Sequence, residues 1–396
     1  MSTVQPARPH TDTQTFILPS NLTLKYVAEG AANVIWRISL PQEGPRTPPP
    51  TSIEEYSGTT PPPSETGVEK EIPADNNIGG AVETDDANNH ATVTLVRSFS
   101  DVLLRLRKCL PSSESNVLAY KYLASVIMPL FPAGVMVGQT LVQVPPTLVS
   151  RANDILHRLE ESGARPAHRR HLYLAGDPRP STQQMNEPYA FLVEDMTPDV
   201  SRGEFLLEFK AKWLVQSRSA PDGWKRCRTC ALRLRRSAEA LEKGNSAKWR
   251  GLCPFDLISG DVDRVTTAAS HILEYPRNED KNLVRRVTEA LMGYPQLSIL
   301  KELQASLDQN GILKADLQSE EFLTAMTLRD CTFYMKVSPL NIQARLGDFD
   351  VKSGEGGKSD YWIATERMLL DEGWYSGTEK GDFPWKVKGM EVVCRG

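Results

Sequence analysis

Apolar and polar residues alternate in two stretches, LKYVAEGAANVIWRISL (24–40) and ATVTLVRSFSDVLLRLRK (91–108), both rich in β-branched and aromatic side chains. A period of two predicts strands that bury one face. Between them, residues 41–90 hold nine prolines and few large apolar side chains. Such a segment buries too little surface to offset its ordering entropy, so a disordered insertion is expected. Both flanks are strand-like, which places the insertion inside a long hairpin rather than between domains. The period then becomes helical in ESNVLAYKYLASVIMPLF (114–131), with Pro129 marking its end region. GVMVGQTLVQV (134–144) predicts a strand, RANDILHRLEESG (151–163) a helix and YAFLVEDM (189–196) a strand.

The second half is more helical. FLLEFKAKW (205–213) is strand-like, and three helices are predicted in CALRLRRSAEALEKG, DVDRVTTAASHILEY and NLVRRVTEALMGY. FLTAMTLRDCTFYMKV runs from helix into strand, and IQARLGDFDVKS supplies the strand after it. The class expected is α+β. An N-terminal part, 1–195, carries the 41–90 insertion, and a larger C-terminal part, 196–396, follows it.

Composition narrows the setting. The chain has 396 residues, 40% of them hydrophobic, enough for one large core or two lobes. No apolar run approaches the roughly 20 residues that span a bilayer. The opening MSTVQPARPHTDTQTF lacks the apolar core of a signal peptide, so a soluble intracellular protein is expected. Six scattered cysteines then read as buried thiols. The net charge of −4 conceals an asymmetry, because residues 41–90 hold ten Asp/Glu against two Lys/Arg. The rest of the chain is mildly basic.

Cations concentrate where chemistry is expected. Leu104-Arg105-Leu106-Arg107-Lys108 places Arg105 and Arg107 on one strand face, able to meet phosphates. The turn Gly30-Ala31-Ala32-Asn33 lets backbone N–H groups approach an anion, although it is neither a P-loop nor a G-x-G-x-x-G. Glu194, Asp195 and Met196 end a strand where a hinge would offer backbone groups to adenine and a carboxylate to ribose. In Glu208-Phe209-Lys210-Ala211-Lys212-Trp213, Lys210 and Lys212 alternate on one face of an apolar strand. Burying an ammonium is costly unless it meets an anion. Residues 225–250 hold nine Lys/Arg against two Glu, a charge that a small polyanion or a nucleic acid would relieve. Cys227-x-x-Cys230 has the spacing of half a zinc knuckle, but no second pair follows, so no zinc is expected. Asp330 lies between a helix and a strand, and Asp348 and Asp350 end the next strand. One hairpin can bring them together, and phosphoryl transfer needs one carboxylate as base and one as Mg²⁺ ligand.

These segments, in this order, resemble the inositol-pentakisphosphate 2-kinase family, in a fungal-type version. The matching runs are GAAN, LRLRK, LVEDM, LEFKAKW, CRTC with its basic helix, CPFDLISGD, TLRDCTF, GDFDVK and DEGWY. The resemblance implies two unequal lobes, the first distantly like that of protein kinases and the larger second carrying inositol phosphate-binding helices. It implies transfer of the γ-phosphate of ATP to the 2-hydroxyl of inositol 1,3,4,5,6-pentakisphosphate, giving the hexakisphosphate, phytate. Asp330 is implied as base, with Lys210 beside it. Mg²⁺ falls to Asp348 and Asp350, with Asp330 adjoining. Gly30 to Asn33 and Arg105 would meet the nucleotide phosphates, and Glu194, Asp195 and Met196 the adenosine. Arg169, Arg170, Lys210, Lys212, Arg236, Asn278, Lys352, Lys358 and Tyr361 would hold the inositol phosphates. The family's proline between the two lysines is Ala211 here, and Leu232 stands where a histidine often follows C-R-x-C. The Cys/His zinc motif of some relatives is absent. The expected setting is a monomer in the nucleus or cytoplasm, with no membrane or nucleic-acid partner. A catalytically silent inositol-hexakisphosphate scaffold and a nucleic-acid binder using 225–250 are the competing readings.

Overall fold

A computed structural model describes residues 15–41, 99–110, 115–179, 186–274, 280–387 and 389–395. The expected disorder of 41–90 and the candidate Asn278 lie outside the described residues. The class is α+β, with two antiparallel sheets.

Strands β1 (Thr23–Glu29), β2 (Asn33–Ser39) and β3 (Val102–Arg107) form an antiparallel meander, with Asn33 opposite Arg107. The segment between β2 and β3 therefore does leave and re-enter one hairpin. Helix α1 (Asn116–Tyr122) is capped by the Ser115 hydroxyl, which accepts the Leu118 N–H. The helix predicted through residue 131 is not uniform: a π-helical turn (Leu123–Ile127) and a 3₁₀ turn (Met128–Leu130) follow. Pro129 enters that last turn and ends the run. Strand β4 (Gln139–Gln143), helix α2 (Pro146–Glu161) and strand β5 (Tyr189–Glu194) complete a sheet ordered β1-β2-β3-β5-β4. Its inner face joins Val34, Trp36, Leu104, Leu106, Val142 and Leu192 to Leu148 and Leu156 of α2.

Strand β6 (Phe205–Phe209) begins the second sheet and stops before the lysines. Lys210 and Lys212 therefore lie on the connection that leaves the strand. Helices α3 (Arg228–Glu242), α4 (Pro254–Leu257), α5 (Val262–Leu273), α6 (Lys281–Gly293), α7 (Gln296–Leu307) and α8 (Glu320–Leu328) follow. Strands β7 (Thr332–Val337) and β8 (Ile342–Gly347) close a sheet ordered β6-β7-β8, and α9 (Lys358–Asp371) comes last. Phe209 and Phe333 stack at 4.9 Å inside this core, against Val265, Val287, Leu300 and Leu346.

The two sheets are tied together. Leu123, Ile127, Phe131 and Val135 pack with the second sheet's core, although they precede β4 in the chain. The Val137 N–H donates to Leu346 O at 2.8 Å and the Leu346 N–H to Val135 O at 2.9 Å. Glu194, ending β5, accepts from Gln343 at 2.9 Å and Arg345 at 3.2 Å, both on β8. No described helix is long and apolar enough to cross a membrane.

Candidate active site

Three chain segments converge at the ends of β6, β7 and β8. The turn after α8 presents Asp330, the connection after β6 presents Lys210 and Lys212, and the exit from β8 presents Asp348, Asp350 and Lys352. Lys210 Nζ lies 3.3 Å from Asp330 and 3.2 Å from Asp348, so one ammonium spans both carboxylates. Lys212 and Lys352 each donate to Asp330, to different oxygens, at 2.8 Å. Asp348 also accepts from the Thr332 hydroxyl at 3.2 Å.

The backbone adopts an uncommon conformation to do this. Lys212 (φ 59°) and Asp348 (φ 62°) both lie in the left-handed region, which L-residues with a Cβ seldom occupy. Asp348 directly follows β8 and Lys212 lies three residues past β6, and both side chains reach the cluster. Gly347, before Asp348, is closely packed: a Cβ there would lie 3.1 Å from the Tyr334 ring and 3.2 Å from Val137, so those side chains would have to give by a few tenths of an ångström.

Electrostatics follow from the contacts. Burial alone would push the Asp330 carboxyl up, but hydrogen bonds from Lys212 and Lys352 outweigh it and hold it well below the usual carboxylate range. Burial and then the neighbouring Asp348 push Asp350 up. Burial opposes the charge on Lys210, yet Asp348 and Asp330 raise its pKa overall. The crowding of Asp348 and Asp350 is the arrangement a divalent cation relieves, and their hard oxygens suit Mg²⁺.

Two cavities flank the cluster and share Lys352 and Lys358 in their walls. The larger, about 850 Å³, is lined by Lys210, Lys212, Arg233, Arg236, Lys248 and Tyr361 among others, with Asp330 on its wall. It is a cationic bowl. The smaller, about 260 Å³, is lined by Ala32, Asn33, Arg105, Arg107, Phe191 and Asp350. Arg105 lies over the Phe191 ring at 4.6 Å, and its buried Nε has no hydrogen-bond partner. Burial lowers the Arg105 pKa, against the pull of Asp350 and Asp348. A buried, unsatisfied guanidinium nitrogen at a cavity is what an anionic ligand would complete.

Behind the 30–33 turn sits a buried ion network. Lys108 Nζ lies 2.7 Å from Glu29 and donates to Gly30 O at 2.8 Å, and its own N–H donates to Ala32 O at 2.8 Å. Arg165 grips both Glu29 oxygens at 2.9 and 3.0 Å.

The other candidates fall as follows. Arg236 Nη2 donates to the Tyr361 hydroxyl at 3.2 Å, and this bond pulls the Tyr361 pKa down. Gly30 and Ala31 lie in the turn behind Ala32 and Asn33. Asp195 is paired with Arg37 at 2.7 Å, Glu194 with Arg345, and Met196 is buried. None of these three lines either cavity. Arg169 and Arg170 lie at a 3₁₀ turn (Ala167–Arg169), away from the larger cavity's wall. The basic helix is more compensated than its local sequence suggests, because remote acids add to Glu239, which pairs with Arg235 within the helix. Arg228 pairs with buried Glu366 at 2.7 Å, and Arg235 with Glu372 at 2.9 Å.

Sequence reasoning missed Trp213, Arg233, Lys248 and Arg329 on the cavity wall. The guanidiniums of Arg228 and Arg329 lie over the Trp213 ring, 4.3 and 3.6 Å from its centroid. Its position in the K-A-K-W run was the available signal. The expectation that CRTC lacks a second cysteine pair is corrected: Cys253 and Cys394, remote in sequence, meet Cys227 and Cys230.

Comparison with known proteins agrees with this geometry. A family model described as inositol-pentakisphosphate 2-kinase matches residues 26–368. A protein of Yarrowia lipolytica (strain CLIB 122 / E 150), named inositol-pentakisphosphate 2-kinase, is 26% identical over 223 residues, 51% of this chain and 70% of the relative.

Proposed function

The chain belongs to the inositol-pentakisphosphate 2-kinase family, and from that premise we propose that it transfers the γ-phosphate of ATP to the 2-hydroxyl of inositol 1,3,4,5,6-pentakisphosphate, yielding the hexakisphosphate. The observation that carries the reading is the Lys210 ammonium held between Asp330 and Asp348 on the wall of a cationic bowl, with Lys352 and Lys358 shared between that bowl and a second cavity.

The roles follow from position. The smaller cavity takes the nucleotide, with Arg105 and the 30–33 turn against its phosphates and Asp348 and Asp350 holding Mg²⁺. The metal ion supplies neutralisation of charge on the triphosphate. The larger bowl takes the acceptor, with Lys212, Arg236, Lys352, Lys358 and Tyr361 on its phosphates. Asp330 accepts the proton of the attacking hydroxyl as that oxygen bonds to phosphorus and ADP departs. Lys212 and Lys352 first act on Asp330 itself. A polyanion entering the bowl draws both ammoniums toward its own oxygens, which returns basicity to Asp330 when the acceptor is present. Uncommitted basicity without substrate is thereby suppressed.

The same reading divides the chain into two lobes joined near residue 195, the first related to that of protein kinases. It takes the protein as a monomer of the nucleus or cytoplasm. The test is incubation with γ-labelled ATP, Mg²⁺ and a panel of inositol phosphates, with products separated by anion exchange. The expected outcome is label in the hexakisphosphate only, when the 2-hydroxyl is free. No transfer to any inositol phosphate overturns the proposal.

A further inference from the structure

Four cysteines gather at the N-terminal end of α3. Cys227 is the N-cap of α3, Cys230 lies in its first turn, Cys253 precedes α4, and Cys394 lies in the 389–395 segment. Their sulfurs all lie within 4.8 Å of one another, and all four thiols are buried and free of disulfides.

We propose that Cys227, Cys230, Cys253 and Cys394 form a tetrathiolate zinc site that clamps the 389–395 segment to the helix carrying Arg233 and Arg236. Four zinc–sulfur bonds of about 2.3 Å at tetrahedral angles set sulfurs roughly 3.8 Å apart. Cys253 and Cys394 are 3.7 Å apart, far beyond the roughly 2.05 Å of a disulfide. Thiols that were merely small apolar fillers would have no reason to aim four sulfurs at one point from three remote segments. The donor set is all sulfur, which selects zinc over Mg²⁺ or Ca²⁺.

The surroundings suit the charge. Zinc(II) with four thiolates carries two negative charges, and the four thiol protons leave to solvent. The Cys230 N–H donates to Cys227 Sγ at 3.5 Å, and the Arg233 guanidinium donates to Cys230 Sγ at 3.8 Å. The positive end of α3 faces the same sulfurs. Arg233 also donates to Leu252 O, next to Cys253, and lines the large cavity. The clamp is continuous with backbone pairing, since the Cys394 N–H donates to Lys225 O at 2.7 Å. Thus the wall bearing two acceptor-facing arginines is held from behind.

Metal analysis of the full chain tests this independently of kinase activity. Protein purified under reducing conditions without added metal should carry one zinc per chain. Cys394→Ser and Cys253→Ser should lose it, while Cys109→Ser keeps it. Cobalt(II) exchanged into the wild-type chain should give the intense visible bands of a tetrahedral thiolate site, which needs no variant to fold. Metal-free wild-type protein whose thiols all react, a mass lowered by disulfide formation, iron in place of zinc, or zinc kept by the Cys253→Ser/Cys394→Ser double variant would each overturn the proposal.

Discussion

Replacing Glu29 by Gln should damage the fold more than replacing Lys108 by Met, although the two are partners. Glu29 is 1% exposed and Lys108 0%, so neither charge has water to fall back on. Burial pushes the Glu29 carboxyl up, yet hydrogen bonds from Arg165 and Lys108 outweigh it, and the net pKa is lowered. In Lys108→Met the carboxylate keeps both Arg165 bonds, and Gly30 O loses one donor. Losing this partly buried, charge-assisted hydrogen bond to the carbonyl costs about 1.5–3 kcal/mol. In Glu29→Gln the Lys108 ammonium stays buried with neutral acceptors in place of a carboxylate, facing the Arg165 guanidinium across the amide. Breaking a buried pair so that one charge remains costs about 3–5 kcal/mol. The difference of about 2 kcal/mol is roughly 1 M in urea midpoint for a slope near 2 kcal/mol/M. The transition is read by circular dichroism, because six of the seven tryptophans lie beyond residue 200 and Trp36 alone lies in this sheet. The double variant, which removes both charges, should be more stable than Glu29→Gln alone. Lys108→Met at least as destabilised as Glu29→Gln, or a double variant no better than Glu29→Gln, would refute the reasoning. Lys108→Met should also raise the KM for ATP, because it frees the 30–33 turn.

Further outcomes follow from single contacts. Arg236→Ala should raise the acceptor KM about 10–100-fold, the loss of one charge-assisted bond of about 1.5–3 kcal/mol, with the KM for ATP unmoved in steady-state kinetics. Arg105→Ala should do the reverse, raising the KM for ATP and leaving the acceptor KM. Burial pushes the Asp177 carboxyl up, but bonds from Arg179, Asn153 and Ser150 hold it well below its ordinary 3.8. Its contribution is therefore complete above that value and lost as the pH falls below it. Asp177→Asn should accordingly flatten the acid limb of stability against pH, read by urea midpoints from pH 6 downward.

The strands were legible where alternation survives, as in β2 and at Leu104 and Leu106, which are core while Arg105 and Arg107 face the smaller cavity; β5 buries Ala190, Phe191 and Leu192 in succession and does not alternate. Among the helices, α7 (Gln296–Leu307) went unpredicted, whereas α2, α3, α5, α6 and α8 were legible from their helical period. Helix α9 was not, since its polar face carries Lys358 and Tyr361 into the site and blurs the period. Lys210 and Lys212 stood out as costly cations, but their placement depends on a left-handed residue that no propensity announces. The carboxylate pair was legible because a single β-hairpin joins its two halves. Glu239 pairs with Arg235 within α3, but Glu366 and Glu372, which also neutralise the helix, and the cysteines that complete CRTC lie beyond residue 250, out of reach of any local window.

Asp330→Asn separates phosphoryl transfer from binding at the cluster that Lys210 bridges. Turnover of inositol 1,3,4,5,6-pentakisphosphate with Mg²⁺ and ATP, measured beside calorimetric binding of the same acceptor, is the direct measurement. Loss of the base should cut turnover about 10²–10⁴-fold, while binding holds or tightens, since Lys212 and Lys352 are freed from a competing carboxylate. Turnover within a few-fold of the unsubstituted chain, with binding intact, would contradict the account.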